Sequence, residues 1–199
     1  MKKIIILLFI IIFSFFLTGC IIYETEITVS KTITKTTTAP AESAAAEEAR
    51  LGSRTNPVPL GSTYYYDGSG AQIDKYKADI TVTEVLRGEE AWALVRQGSE
   101  SNPPAPEGKE YLIIKVKIKA IESENDEKID IGASSFDLVG KDGAKYDGLT
   151  AVSGVEPQLK EMRAGEEQEG YIVFAVNVGD EPLAVFLDRN DGGVWLSLK

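Results

Sequence analysis

Between Leu112 and Ala120 every second residue is apolar: Leu112, Ile114, Val116, Ile118 and Ala120 alternate with Ile113, Lys115, Lys117 and Lys119. Side chains alternate across a strand, so this spacing predicts one buried face and one wet face. Tyr76, Ala78, Ile80 and Val82 repeat the pattern against Lys75, Lys77, Asp79, Thr81 and Thr83. Further strands are expected over residues 62–66, 135–139, 145–149, 170–176, 183–187 and 194–198. Lys141-Asp142-Gly143, Asp67-Gly68 and Asp191-Gly192-Gly193 punctuate them, with glycine supplying a positive φ. The exception is the stretch 88–97, where Ala91, Leu94 and Val95 recur at helical spacing beside Trp92. A short helix is expected there, followed by a loop with Pro103, Pro104 and Pro106.

Many short strands, regular turns and one brief helix imply an all-β fold, an immunoglobulin-like antiparallel β-sandwich. No Cys…Trp…Cys spacing is present, so pattern carries this inference. Glu169-Gly170-Tyr171 ahead of an apolar strand offers Tyr171 as a tyrosine corner.

The N-terminus has a different character. Met1, Lys2 and Lys3 precede an apolar run from Ile4 to Leu17, interrupted only by Ser14, and the run closes Leu17-Thr18-Gly19-Cys20. A basic start, a short apolar stretch and small residues make a secretory signal peptide. A retained spanning helix needs roughly 20 apolar residues, more than this run has before Thr18 and Gly19. The four residues Leu17, Thr18, Gly19 and Cys20 resemble the bacterial lipobox. The resemblance implies cleavage between Gly19 and Cys20 and diacylglycerylation of the Cys20 sulfur. Two acyl chains hold a protein stably on a membrane where one holds it only marginally.

Processing would remove residues 1–19, and with them two lysines and no acid. The whole chain's formal charge of −10 then becomes −12. Such a charge repels nucleic acid and anionic headgroups, so nucleic-acid partners are not expected and the lipid is the expected membrane contact. Cys20 is the only cysteine, so no intrachain disulfide is available and stability must come from the core.

Residues 20–56 read as the lipidated cysteine and a flexible stalk. Thr25, Thr28, Thr32, Thr34, Thr36, Thr37 and Thr38 are followed by an Ala/Glu stretch, with few large apolar residues after Ile33. Residues 44–51 are compatible with a transient helix, residues 22–33 with a short strand, and the threonines with O-glycosylation. Asn56-Pro57-Val58-Pro59 marks the boundary, because the prolines impose an extended chain. Residues 57–199 then fit a single domain.

Within that domain, the segment Asn56-Pro57-Val58-Pro59-Leu60-Gly61 comes first, followed by Ile80 through Gly88 (ITVTEVLRG) and Glu110 through Ile118 (EYLIIKVKI). Ser135-Phe136-Asp137-Leu138-Val139 with Asp142-Gly143, and Gly170-Tyr171-Ile172-Val173-Phe174, complete the set. Together they resemble the telokin-like domains of unknown function on extracellular bacterial lipoproteins. These are similar in fold to a secreted immunoprotective antigen of mycobacteria. The resemblance implies an immunoglobulin-like sandwich and no particular activity, because the shared motifs are strands and turns.

The chain contains no histidine, which removes the commonest general base, the usual triads and most zinc sites. No Ser/Lys pair or carboxylate pair stands at a recognisable spacing. No enzyme, cofactor or resident metal is expected. Glu122-Ser123-Glu124-Asn125-Asp126-Glu127 concentrates oxygen ligands of the kind calcium takes. It lacks the ordered spacing and glycine of an EF-hand loop, as does Asp188-Arg189-Asn190-Asp191-Gly192-Gly193, and each reads as a solvated turn. In Tyr64-Tyr65-Tyr66, the first and third rings share a face and the second points away, so at most two could stack on a sugar. Asp67-Gly68-Ser69-Gly70 has no lysine and opens no helix, unlike a phosphate loop. Lys115, Lys117 and Lys119 form a basic stripe, either a wet sheet face or a dock for a cell-wall polyanion. The expected protein is a lipid-anchored extracytoplasmic lipoprotein, with a non-catalytic module that binds an envelope protein or polymer. The alternative is an envelope hydrolase working through paired carboxylates.

Overall fold

The computed structural model describes residues 50–146, 152–187 and 192–199. Gly19, Cys20 and residues 21–49 of the expected stalk lie outside the described residues, as do most of the strand expected over 145–149 and residues 188–191 of the second acidic loop.

Among the described residues, seven strands form two antiparallel sheets. The first contains β1 (Thr63–Asp67), β2 (Tyr76–Arg87), β3 (Lys109–Ser123) and β5 (Glu167–Asn177), side by side in that order. The second contains β4 (Phe136–Val139), β6 (Leu183–Phe186) and β7 (Val194–Leu196), again in that order. All five pairings are antiparallel, and the four-plus-three division is that of an immunoglobulin-like sandwich. The expected helix is present as α1 (Gly88–Gly98).

The alternation in β2 and β3 places Ala78, Ile80, Val82, Ile114, Val116 and Ile118 in the space between the sheets. They meet Phe136, Leu138, Ala184, Phe186 and Leu196 from the opposite sheet. Two bulges adjust the period. Lys77 pairs with Glu122 but Ala78 pairs with Ala120, leaving Ile121 as the extra residue, which explains why this isoleucine is exposed. The second lies between Val82 and Glu84, where Thr83 is the extra residue. It lets Val85 join the inner face, which strict alternation from Val82 would forbid.

The outer face of the larger sheet departs from the sequence expectation. Tyr111, Ile113 and Val173 point outward yet are buried, because Ala91 and Val95 of α1 and Val155 pack on them as a second core. Trp92 stacks on Tyr111 with ring centroids 6.0 Å apart. The wet face expected for β3 begins only at Lys115.

Residues 50–56, assigned to the stalk by the sequence, belong to the folded unit. Gly52 and Ser53 are buried, Trp195 N donates to Gly52 O at 2.8 Å, and Arg54 sits over the Trp195 ring at 5.4 Å. Val58 N donates to Trp195 O at 2.9 Å, and Ser197 N returns a bond to Val58 O at 2.8 Å. This segment covers the edge of β7. Gly68 also serves differently from expectation. Its φ is not among the positive ones, and a Cβ there would lie 2.2 Å from Asp74 O, so the turn needs its lack of a side chain.

Candidate functional site

A polar cleft of about 400 Å³ opens at one end of the sandwich, between the β1–β2 loop and the segment that follows β3. The loop is held by Tyr66, whose hydroxyl donates to Asp74 O at 3.2 Å, and by Tyr76 N, which donates to the same oxygen at 2.8 Å. The opposite wall is a 3-10 turn, Glu124–Asp126, tied to the loop by Glu124 N donating to Lys75 O at 3.2 Å. Asp74, Asn125 and Asp126 all have φ between 56° and 59°, the left-handed region that Asn and Asp tolerate best among side-chain-bearing residues. Ile73 stands 58% exposed in the loop, and Ile129 is buried behind the cleft. Ser123 Oγ is buried without a hydrogen bond among the described residues.

In the acidic loop 122–127, read from the sequence as a solvated turn, two of the acids pair with lysines. Glu122 pairs with Lys77 at 2.8 Å and Glu124 with Lys75 at 3.3 Å, while Asp126 contributes its carbonyl to Arg163. No group of three or more acids, cysteines or histidines among the described residues is arranged to hold a metal ion.

Two of the three lysines of the basic stripe are neutralised in the same way. Lys115 pairs with Glu169 at 2.9 Å and Lys117 with Glu167 at 2.9 Å, diagonally across β3 and β5. The partner's hydrogen bond and charge raise both ammonium pKa values. A polyanion would have to displace these carboxylates. Lys115 also lies over the ring of Tyr171, 5.9 Å from its centroid, on the outer sheet face. Of the three consecutive tyrosines, Tyr66 is buried in the core, Tyr64 packs against it and Tyr65 is 50% exposed on the other face, as alternation requires.

Two polar clusters were missed by sequence reasoning. Asp180, in the turn after β5, accepts a short hydrogen bond from the Tyr146 hydroxyl and bonds from the amides of Lys141 and Glu181. The Tyr146 bond is the largest influence holding its carboxyl below the usual range. Arg87 reaches the same turn, donating to Asp180 O at 2.7 Å while its other nitrogen holds Glu110. Asn102, 8% exposed, donates to Val95 O at 2.7 Å and Ser153 O at 2.9 Å, and accepts from Ser153 N at 2.9 Å. It closes the second core by joining the end of α1 to the segment after residue 151. Both clusters join residues distant in sequence, and no local motif announces them.

The family described as Domain of unknown function (DUF4352) matches residues 68–192, and the chain belongs to it. No curated protein matches the chain. Among solved structures, the secreted protein MPT63 from Mycobacterium tuberculosis is similar at 19% identity, with a TM-score of 0.46, covering 70% of this chain and 94% of that one. A conserved protein of Bacillus anthracis matches at 17% identity and a TM-score of 0.45, covering 70% of this chain and 95% of its own. A β-sandwich protein of Clostridium difficile matches at 16% identity and a TM-score of 0.40, covering 72% and 95%.

Proposed function

We propose that the protein is a lipid-anchored extracytoplasmic lipoprotein whose sandwich is a non-catalytic interaction module, tethered through Cys20. The non-catalytic part is supported by the hydrogen bonds and ion pairs that hold four of its carboxylates. A carboxylate hydrolase needs one acid held protonated, which burial or a neighbouring acid achieves by raising its pKa. Asp67, Glu161, Asp180 and Glu181 are instead all shifted downward, and in each case the leading cause is a hydrogen bond from a lysine, a tyrosine or a backbone amide. In the cleft wall Lys75 and Glu124 pair with each other, and Lys128 is held by Glu161. Signal peptide, lipobox and acidic charge supply the placement outside the membrane; no helix among the described residues is long and apolar enough to cross a bilayer.

The test is incubation of the purified protein with isolated cell envelope. Saturable co-sedimentation with no soluble fragments released supports the module. Time-dependent release of saccharide or peptide products supports the carboxylate hydrolase and overturns it.

A further inference from the structure

Three sheet edges carry backbone partners from the chain itself. The segment around Gly52 and Val58 bonds to β7, Tyr171 N on β5 donates to Pro157 O at 2.7 Å, and Tyr146 N donates to Leu138 O on β4 at 3.0 Å. Strand β1 is the remaining edge, paired among the described residues with β2 alone. Gly68 N donates to Tyr76 O at 2.9 Å, and the register continues this ladder through Tyr66 opposite Ala78 and Tyr64 opposite Ile80. By the antiparallel alternation, the N–H and C=O groups of Thr63, Tyr65 and Asp67 therefore face away from β2. Among the described residues none of these groups meets a backbone partner.

An edge of unpaired amides is a template for another strand, and proteins that need no such partner usually blunt it with a proline, a bulge or a lysine. From Thr63 to Asp67 the edge has none of these, and its central residue, Tyr65, is the half-exposed tyrosine. On the outer face Tyr65 stands beside Asp79, with Asp67 next along the same side of β1. Lys77, directly opposite Asp67, is turned to Glu122 at 2.8 Å, and Lys119 stands opposite Asp79 on β3. The edge strand itself thus carries one charge, the carboxylate of Asp67, on the same side as an exposed aromatic ring, in a chain of formal charge −10.

We propose that β1 is a strand-addition site for an extended basic polypeptide segment. The outward amides and carbonyls of Thr63, Tyr65 and Asp67 would pair with its backbone. A lysine or arginine beside Tyr65 would lie against the ring and diagonal to Asp67. Main-chain bonds supply affinity and the alternate side chains specificity, as in other edge-strand recognition. A second copy of this chain is disfavoured as occupant, because it would bring the same negative charge to the same edge. The inference rests on the reading of the domain as an interaction module and names the class of its partner.

Two short peptides, one alternating threonine with lysine and one alternating threonine with glutamate, are titrated into the purified protein at low salt, with hydrogen exchange followed at Thr63, Tyr65 and Asp67. The lysine peptide should bind at least about tenfold more tightly and slow exchange at these three amides. Tyr65→Pro removes the central outward N–H while leaving the β2 ladder, an exchange that edge strands tolerate, and should abolish binding. Asp79→Lys, which touches no backbone bond, should reverse the preference between the peptides and covers the case in which the proline variant misfolds. Equal affinity for both peptides, or binding unchanged in Tyr65→Pro with its melt intact, sinks the edge proposal while leaving the module. Protection of the three amides that rises with protein concentration alone would assign the edge to a second copy. Cleavage of either peptide would instead overturn the module reading itself.

Discussion

Ile113 and Lys117 lie on the same outer face of β3, four residues apart, and the structure gives them opposite fates. Ile113 is fully buried against α1, in the cluster with Ala91, Val95, Tyr111, Val155 and Val173. Lys117 is 41% exposed and paired with Glu167. Truncating a buried isoleucine to alanine costs about 2–5 kcal/mol, the lost transfer energy plus the cavity left behind. For a domain of this size each kcal/mol moves the midpoint by about 2–4 °C, so Ile113→Ala should lower it by about 4–20 °C. Lys117→Ala loses one exposed ion pair and should shift it by less than about 2 °C. Thermal melts of the two variants decide it. If Ile113→Ala melted within about 2 °C of the unchanged protein, α1 would not seal this face, and the second core would be wrong.

Val116→Asp should leave the protein largely unfolded in the same assay: it replaces roughly 1.5–3 kcal/mol of apolar burial with a desolvated charge, against a total stability of about 5–15 kcal/mol. Asp180→Ala strands the Tyr146 hydroxyl and two amides and should cost about 1.5–3 kcal/mol by denaturant titration. Because Asp180's folded pKa is depressed, its contribution is present above the ordinary carboxylate range and fades as pH falls through the folded value. Asp180→Asn should accordingly flatten the acid limb of a stability–pH curve and leave its slope above pH ~6 unchanged. Asn102→Ala should cost about 1–3 kcal/mol and, more tellingly, speed exchange of the Ser153 amide, which it holds at 2.9 Å.

The strands that alternate cleanly were legible because burial on one face leaves a period of two. So was α1, whose Ala91 and Val95 sit at helical spacing. The buried outer face had a weaker signal. Tyr111-Leu112-Ile113-Ile114 and Ile172-Val173-Phe174 are unbroken apolar runs, the mark of a strand covered on both sides. The alternating lysines beyond them masked it. Bulges cannot be read from residue types when the extra residue is itself strand-like, as Thr83 and Ile121 are. The ion pairs that neutralise Lys115 and Lys117 depend on the pairing of β3 with β5, two strands separated in sequence by β4 and its turn. The docking of residues 50–56 on the domain was not legible because Gly52 and Ser53 carry no apolar signal. They dock through backbone bonds to β7.

The proposed anchoring makes Cys20 the point at which the chain meets the membrane. Mass spectrometry of the protein recovered from the membrane fraction of cells expressing the full chain addresses it directly. Lipid anchoring should give a mature N-terminus at Cys20, carrying the added mass of a diacylglyceryl group, and a protein that stays with the membrane through a high-salt wash. In Cys20→Ala cells that species should vanish, with the protein found in the medium or as uncut precursor. An unmodified Cys20, an N-terminus elsewhere, or a Cys20→Ala protein processed normally and still held in the washed membrane would contradict it.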